Sequence, residues 1–218
     1  MSREGWLVSP KVLTATTNKK INYGEDPREG IVTNFSELTI DDTQQSVFPD
    51  GIPYQFVDKN GKAFDGSEMM PAGEYLILIR ISADLYKVIS EGKLTIKQSV
   101  LAVTLNDLTI KQGEAINTSL ITPEITGIVP GESTETVFPG GIQYNFINDQ
   151  GTTYNPNDRV TGVFNITIDE PENYTINYTR AAKVYVNPVK YLVYPSPTTG
   201  KVTVCKEKCC RGWICKTV

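Results

Sequence analysis

Apolar and polar residues alternate in short runs along most of the chain. The odd positions of residues 75–81 are all apolar, and a similar alternation recurs over residues 164–169. A period of two residues is typical of β-strands with one face buried. Within residues 75–81 the even positions Leu76 and Leu78 are apolar as well, which predicts a strand in the interior of its sheet.

Turn-forming sequences separate these runs. Asp, Asn and Gly cluster at residues 58–61 and 148–151, and a Pro-Gly pair lies at 130–131. These residue types favour tight turns for conformational reasons. Helical periodicity is weak, and only residues 83–92 and 123–129 suggest a helical turn or two. The pattern therefore predicts an all-β protein.

One sequence pattern occurs twice. Residues 47–61 read VFPDGIPYQFVDKNG and residues 137–151 read VFPGGIQYNFINDQG, so that Phe48 and Phe138 are 90 positions apart. Further matches at almost the same spacing pair residues 72–78 with 161–167, 85–89 with 173–177 and 92–97 with 182–187. A match of this length at a nearly constant spacing indicates two copies of one domain.

The repeat defines the predicted domain organisation. Two tandem domains span residues 11–98 and 99–188, after an N-terminal segment at 1–10 and before a Pro-containing linker and short Cys-rich C-terminal tail at 189–218. Short strands and turns within about 90 residues are typical of an immunoglobulin-like β-sandwich. The junction at residues 97–99 contains neither Gly nor Pro. We therefore expect one domain's last strand to run almost directly into the next domain's first strand, as a rod rather than a hinge.

Composition and charge narrow the function classes. Of the 218 residues, 39% are hydrophobic and 21% are charged, which suits a soluble globular protein. The net charge of −4 argues against broad binding to nucleic-acid phosphates. The chain has no histidine, which excludes Ser-His-Asp and Cys-His catalysis and every histidine-containing zinc site. We expect no enzyme activity, no catalytic residue, no metal and no cofactor.

The acidic residues of the predicted turns have two interpretations. Asp58 and Asp149 offer oxygen ligands for calcium, but neither turn continues into an EF-hand pattern. Asp41 and Asp42 also lie in a predicted turn, and no pair of carboxylates stands out as the two catalytic groups of a glycosidase. We favour solvated turn residues over calcium ligands or catalytic acids.

Tyrosine is the most frequent aromatic residue, with 11 copies. Five of these residues fall at repeat-equivalent or strand positions: Tyr54, Tyr75, Tyr86, Tyr144 and Tyr174. Exposed tyrosines could bind a sugar. We favour core packing, with the hydroxyl groups at the rim of each domain, because a buried tyrosine hydroxyl usually finds a hydrogen-bond partner.

All four cysteines lie in the last 14 residues, at Cys205, Cys209, Cys210 and Cys215. Their C-x3-C-C-x4-C spacing lacks the paired C-x2-C knuckles of zinc sites. We favour disulfides, either within the tail or between chains, with free thiols and metal ligands as the alternatives. Residues 206–216 are also locally basic, and we favour a structural role for them over a nucleic-acid contact.

The N-terminal residues do not match a secretory signal. The apolar stretch at residues 6–8 is shorter than the roughly 7–15 residues that such a signal needs. No segment approaches the ~18 apolar residues of a membrane-spanning helix. We therefore expect no membrane span. We also expect that the chain is either an excised or processed piece of an exported protein or a protein that leaves its cell by another route.

The first repeat resembles a known family. Its opening Tyr23-Gly24 pair, the segments at 73–75 and 92–96, and the strand containing Tyr86 are similar to the MBG-type (YGX) repeats of bacterial adhesins and surface proteins, especially of Bacteroidetes. The second copy departs from this pattern, with Gln112-Gly113 in place of Tyr-Gly. The resemblance covers residues 11–188. It implies an immunoglobulin-like β-sandwich that serves outside the cell as a spacer or binding module.

A second resemblance lies near the C-terminus. Residues 191–204, YLVYPSPTTGKVTV, are similar to the start of the C-terminal sorting domain of proteins exported by the type IX secretion system. That domain usually continues for many more residues than the 14 that follow here. The alternative interpretation is a Pro-rich linker that leads into a strand.

These observations predict a non-enzymatic structural or adhesive repeat module of a bacterial extracellular surface protein or filament. The expected partners are other protein chains, either as a homo-oligomer or as neighbouring repeats. A surface glycan or a protein ligand is a further candidate partner. We expect neither nucleic acid nor membrane as a partner. The alternative is a structural protein of a virion or contractile machine, such as a decoration or fibre protein with immunoglobulin-like domains.

Overall fold

A computed structural model describes residues 10–36, 38, 41–80, 86–195, 202–207 and 213–217. Its regular structure consists almost entirely of β-strands, so the predicted all-β class is confirmed. Among the described residues, each of the two α-helices has four residues, and no helix is long and apolar enough to cross a membrane.

Six strands of the first predicted repeat form one sheet. They are β1 (Lys11–Asn22), β2 (Asn34–Phe35), β3 (Tyr54–Asp58), β4 (Ala63–Phe64), β5 (Gly73–Ile79) and β6 (Tyr86–Lys97). Their order is β2-β1-β6-β5-β3-β4. All neighbours are antiparallel except β1 and β6, which are parallel. A short helix, α1 (Gln44–Val47), lies between β2 and β3 in the chain.

Seven strands of the second predicted repeat form two sheets. They are β7 (Ser99–Thr104), β8 (Leu108–Lys111), β9 (Glu124–Thr126), β10 (Tyr144–Ile147), β11 (Gly162–Ile168), β12 (Tyr174–Arg180) and β13 (Ala182–Asn187). One sheet has the order β10-β11-β13-β8 and the other β12-β7-β9. Helix α2 (Thr134–Val137) and two short 3-10 helices, Thr118–Leu120 and Pro156–Asp158, complete this part.

Three further strands follow as an antiparallel meander. They are β14 (Tyr191–Pro195), β15 (Val202–Glu207) and β16 (Trp213–Thr217). The middle strand β15 pairs with both of the others. The segment that resembles a sorting domain therefore contributes β14 and the start of β15, and residues 196–201 between them lie outside the described residues.

The pairing of equivalent strands has the same register in both repeats. In the first, Phe56 of β3 lies opposite Ile77 of β5, and in the second, Phe146 of β10 lies opposite Ile166 of β11. The spacing between equivalent residues is 90 for the phenylalanines and 89 for the isoleucines. Helices α1 and α2 are also 90 positions apart. The repeated sequence pattern thus corresponds to repeated strand pairs and helices.

The turns that follow β3 and β10 are alike down to single hydrogen bonds. The Asp58 Oδ1 atom accepts from the backbone N–H groups of Asn60 and Lys62, each at 2.8 Å. The side-chain oxygen of Asn148 accepts in the same way from residues 150 and 152, at 3.1 and 2.8 Å. A side chain that caps its own turn is the usual reason for Asp or Asn at this place. The sequence-based interpretation of 58–61 and 148–151 as turns is therefore confirmed.

The helical turns suggested for residues 83–92 and 123–129 are wrong where the structure describes them. Residues 86–92 belong to β6, and residues 124–126 form β9. The observed helix α1 begins instead at a capping box, in which the Thr43 side chain accepts from the Ser46 N–H and the Ser46 side chain bonds the Thr43 backbone. The usual sequence signature of this box has Glu or Gln at the place of Ser46, so the motif is hard to recognise in the sequence.

Strands β1 and β6 are continuous, but their counterparts in the second repeat are each divided in two. Strands β7 and β8 correspond to β1, and β12 and β13 correspond to β6. Gly92 permits the close approach of β6 to β1, because a Cβ atom there would lie 2.5 Å from the carbonyl oxygen of Thr17. The predicted central strand 75–81 is confirmed for β5, which lies between β6 and β3, although Leu76 on its outer face is 58% exposed.

The chain divides into two compact units. The first comprises Met1–Leu101, Gly127–Ser133 and Glu170–Ile176, and the second comprises Ala102–Thr126, Thr134–Asp169 and Asn177–Val218. The first thus takes in three stretches of the second predicted domain, at residues 99–101, 127–133 and 170–176. Its most buried side chains are Leu13, Ala15, Phe56, Ile77, Leu94, Leu101 and Tyr174. Those of the second unit are Val103, Leu105, Phe164, Ala182 and Val184.

Candidate functional site

The tyrosines singled out in the sequence lie in the core or at its edge. Tyr75, Tyr86 and Tyr174 are buried, and Tyr54 and Tyr144 are half-buried. The Tyr75 hydroxyl donates to the carbonyl oxygen of residue 71 at 2.7 Å, and the Tyr54 hydroxyl lies 2.6 Å from that of Thr33. The favoured interpretation, core packing with partnered hydroxyl groups, agrees with these positions, and none of the five is an exposed sugar platform.

A tyrosine–carboxylate pair occurs in both repeats. The Tyr86 hydroxyl donates to the Asp42 carboxylate, and the Tyr174 hydroxyl donates to the Glu132 carboxylate. Asp42 and Glu132 are 90 positions apart, and the two tyrosines are 88 apart. In each pair the acid lies just before a short helix and the tyrosine at the start of a strand, β6 or β12. Both pairs belong to the first unit.

The pair around Glu132 is enlarged by a second tyrosine, and together they form the tyrosine–carboxylate cluster of Tyr23, Glu132 and Tyr174. The Tyr23 hydroxyl donates to Glu132 Oε1 at 2.8 Å, while Tyr174 bonds the other oxygen. The two rings meet edge to face, with centroids 5.4 Å apart and an interplanar angle of 79°. The Tyr174 hydroxyl also accepts from the backbone N–H of Val129 at 3.0 Å.

Burial and the carboxylate keep both hydroxyl groups of the cluster protonated. Burial first, and then the hydrogen bond to Glu132, raise the pKa of Tyr174 to about 12. Burial, followed by the same carboxylate, raises the pKa of Tyr23 far above its ordinary range. A hydroxyl that remains protonated can donate a hydrogen bond, and both tyrosine hydroxyl groups of the cluster donate to Glu132. One carboxylate thus joins residues from three separate stretches of the chain.

The segments 127–133 and 170–176 are joined to the first unit around this cluster. The backbone N–H of Ala72 donates to Asn173 Oδ1 at 2.9 Å, and that of Ser99 donates to the Asn173 carbonyl oxygen at 3.0 Å. The Ser99 hydroxyl donates to the Tyr23 carbonyl oxygen at 2.7 Å. Asn173 therefore holds the segment 170–176 through its backbone and its side chain at once. Glu132 holds the segment 127–133 through its bonds to the two tyrosines.

The Tyr23-Gly24 pair, on which the family resemblance depends, contributes to the same cluster. Gly24 has a φ of +93°, and a Cβ atom there would lie 2.3 Å from a methyl carbon of Val129. A side chain would therefore clash as well as strain the backbone. At Gly113, the counterpart in the second repeat, the nearest atom to such a Cβ would be 3.8 Å away. The close approach of Gly24 to Val129 thus has no counterpart at Gly113.

Sequence reasoning named Asp42, Tyr86 and Tyr174 but missed Glu132 and the role of Tyr23. The repeat itself carried the signal for Glu132, because it aligns with Asp42 just as Tyr174 aligns with Tyr86. The contact of Tyr23 with Glu132 spans 109 positions and has no local signal.

The candidate calcium ligands take part in other interactions. Asp58 caps its own turn, and Asp149 Oδ1 accepts from the side-chain amide of Asn165 at 3.0 Å. Within the part of the chain that the structure describes, no three or more acidic or cysteine side chains are grouped to hold a metal ion. An open groove beside β5 contains Asp58 and Glu74, and there Glu74 pairs with Lys93 at 2.6 Å in an exposed salt bridge. Such a bridge contributes little to stability.

The backbone of the tail brings two of the four candidate cysteines into register. Cys205 on β15 lies directly opposite Cys215 on β16 in an antiparallel pair. Directly opposed residues in such a pair have Cα atoms about 4.5–5.5 Å apart, which is within the range that a disulfide spans. Cys209 and Cys210 lie outside the described residues. The disulfide interpretation of the tail stays a prediction.

Comparison with known proteins leaves the chain without an assigned relative. No family model, no curated protein and no solved structure matches it. The resemblances to MBG-type repeats and to a sorting domain therefore stay predictions that depend on their quoted residues.

Proposed function

We propose that this chain is a non-enzymatic structural or adhesive repeat module of a bacterial extracellular surface protein or filament. In this proposal residues 11–98 and 99–188 are two tandem immunoglobulin-like β-sandwich domains, followed by a Cys-rich tail. The observation that supports it is the shared register: the pairs Phe56–Ile77 and Phe146–Ile166 recur at spacings of 90 and 89 residues. Duplication of a whole β-unit is common in proteins that act as extended spacers or scaffolds.

The use of polar side chains supports a structural role. In the tyrosine–carboxylate cluster, hydroxyl groups and a carboxylate bind one another and the backbone. The Asp58 and Asn148 side chains bind turn N–H groups in the same way. Side chains that satisfy backbone groups stabilise the fold, because an unpaired buried polar group costs about 1–3 kcal/mol.

The adhesive part of the proposal needs an exposed contact surface. Val163 of β11 and Tyr185 of β13 are register partners, and they are 44% and 40% exposed. A tyrosine beside an aliphatic side chain offers both apolar area and a hydroxyl group, which suits a protein chain or a glycan ring. A purified Tyr185→Ser variant should then bind less well than the parent chain to the surface of the producing cells, whereas Lys190→Ser, an exposed control, should bind as well as the parent chain.

Electron microscopy and localisation test the proposal. Purified full-length chain should form rods or filaments on negatively stained grids, and immunogold label raised against it should decorate the surface of the producing cells. An experimental structure in which residues 11–98 and 99–188 fail to superimpose would contradict the tandem-domain part. Label that sediments with phage-like particles on a density gradient would favour the virion or contractile-machine alternative instead.

A further inference from the structure

Strands β1 and β6 form the longest strand pair that the structure describes. They are parallel over twelve register pairs, from Lys11 opposite Tyr86 to Asn22 opposite Lys97. At about 3.3 Å per residue the paired stretch is roughly 36 Å long. Strand β1 is the first strand of the chain's first repeat, and β6 is its last. The two strands by which the chain enters and leaves this repeat are therefore bonded directly to each other.

The parallel direction determines how tension would act on this pair. Lys11 lies at one end of the paired stretch and Lys97 at the opposite end. A pull that enters at Lys11 and leaves at Lys97 therefore draws β1 and β6 past each other along their length. In that geometry the evenly spaced ladder bonds are loaded together. If the strands were loaded at the same end, the bonds would open one after another.

We propose that the twelve-residue parallel pair of β1 and β6 is a shear-loaded clamp that keeps the first unit folded under tension along the chain. This proposal rests on the structural role proposed above and adds the mechanical function of that module. The clamp lies inside the sheet: β2 pairs with Ala15 and Thr16 at the other edge of β1, and β5 pairs with residues 93–96 at the other edge of β6. Removal of β1 from the sheet also breaks this two-residue ladder, and removal of β6 also breaks its four-residue ladder with β5.

Side chains oppose sliding of the two strands. Leu13, Ala15, Thr17 and Ile21 of β1 are buried on one face, and a shift of one residue would turn this face to the solvent. The buried Thr17 hydroxyl is bonded to that of Thr33 at 2.9 Å. Exposure of the buried apolar side chains among these residues to water is unfavourable. Sliding would therefore break packing and hydrogen bonds together.

Contacts beyond the ladder reinforce the middle and the end of the pair. The Lys93 N–H of β6 donates to the side-chain oxygen of Asn18 on β1, at 3.1 Å. The Tyr23 N–H donates to the Lys97 carbonyl oxygen at 2.7 Å, which continues the pairing past the last register pair. Gly92 allows the close contact with Thr17 described above.

The second repeat provides an internal comparison. The counterpart of the β1–β6 pair is divided there between the neighbouring strands β7 and β12 in one sheet and the parallel strands β8 and β13 in the other. The β8–β13 ladder has four register pairs, from Leu108 opposite Val184 to Lys111 opposite Asn187. Residues 105–107 interrupt the strand that corresponds to β1. Because fewer ladder bonds share the load, the β8–β13 pair should yield at a lower force than β1–β6.

Single-molecule force spectroscopy on the full-length chain tests the clamp by changing only the direction of the pull. Azide-bearing residues in place of Lys11 and Lys97 load the pair in shear, and in place of Lys11 and Lys87 they load it at one end; all three side chains are exposed. The unfolding force should fall by about twofold or more in the second geometry, because the ladder bonds then break singly. Equal forces in the two geometries would overturn the clamp, and would leave the proposed module to its own test by electron microscopy.

A matched pair of variants tests the reinforcement. Asn18→Ala removes the side-chain bond to β6 and should lower the shear force, while the force in the one-end geometry stays unchanged because opening begins at the Lys11 end. Lys20→Ala, on the same exposed face of β1, should change neither force. An equal effect of the two substitutions would contradict this reinforcement. The role given to the long pair would be contradicted if a pull through attachment points at Thr109 and Asn187 required a higher unfolding force than the pull through β1 and β6.

Discussion

The tyrosine–carboxylate cluster leads to a quantitative prediction for Glu132→Gln. Glutamine keeps the length of the side chain but removes its charge and replaces one acceptor oxygen with a donor amide. One of the two tyrosine hydroxyl groups, Tyr23 or Tyr174, then loses its acceptor, and the other keeps a neutral acceptor in place of a charged one. A hydrogen bond to a charged group contributes about 1.5–3 kcal/mol, so the free energy of unfolding of the first unit should fall by about that amount.

Denaturant unfolding and hydrogen exchange together measure this loss. The Val129 N–H donates to the Tyr174 hydroxyl, so its exchange rate reports on the cluster itself. Faster exchange at Val129 should accompany the lower free energy of unfolding. Tyr23→Phe in the Glu132→Gln background should cost less than it does alone, because the two residues share one interaction. A loss below about 0.5 kcal/mol, or full additivity of the two substitutions, would refute the reasoning.

Three further predictions concern other parts of the molecule. The fold raises the pKa of Tyr174 from its ordinary value of 10 to about 12, so the unfolded chain loses that proton first as the pH rises. The contribution of Tyr174 to the free energy of unfolding should therefore be steady below pH 10 and fall between pH 10 and 12. Denaturant titrations across this pH range would detect the fall. Gly92→Ala places a methyl group 2.5 Å from a carbonyl oxygen of β1 and should destabilise the protein by about 1–3 kcal/mol, whereas Gly140→Ala, with no atom within 4 Å, should be neutral or slightly stabilising; equal thermal midpoints for both variants would contradict this account. After oxidation with glutathione, mass spectrometry of the unreduced chain should recover Cys205 and Cys215 in one disulfide-linked pair of peptides. Disulfides that link these two cysteines to other residues, and not to each other, would contradict the register argument.

The candidate site could be predicted only in part, for a reason that lies in sequence distance. Tyr174 and Asp42 attract attention because the repeat places them at strand and turn positions. The bond from Tyr23 to Glu132 joins residues 109 positions apart, and nothing local in either segment indicates the partner. The same holds for Gly92. Only glycine fits there, because a side chain would clash with the carbonyl group of Thr17 on another strand.

The sequence by itself determined the strands, the turns and their duplication. Alternation at residues 75–81, and Asp58 and Asn148 at turns, are local preferences that act wherever the chain lies, so they could be recognised without coordinates. The tertiary structure decided which strands meet. The parallel pairing of β1 with β6 joins segments separated by more than 60 residues, and its direction and register depend on the burial of whole faces at once. Such non-local pairing follows from packing, and no run of neighbouring residues encodes it.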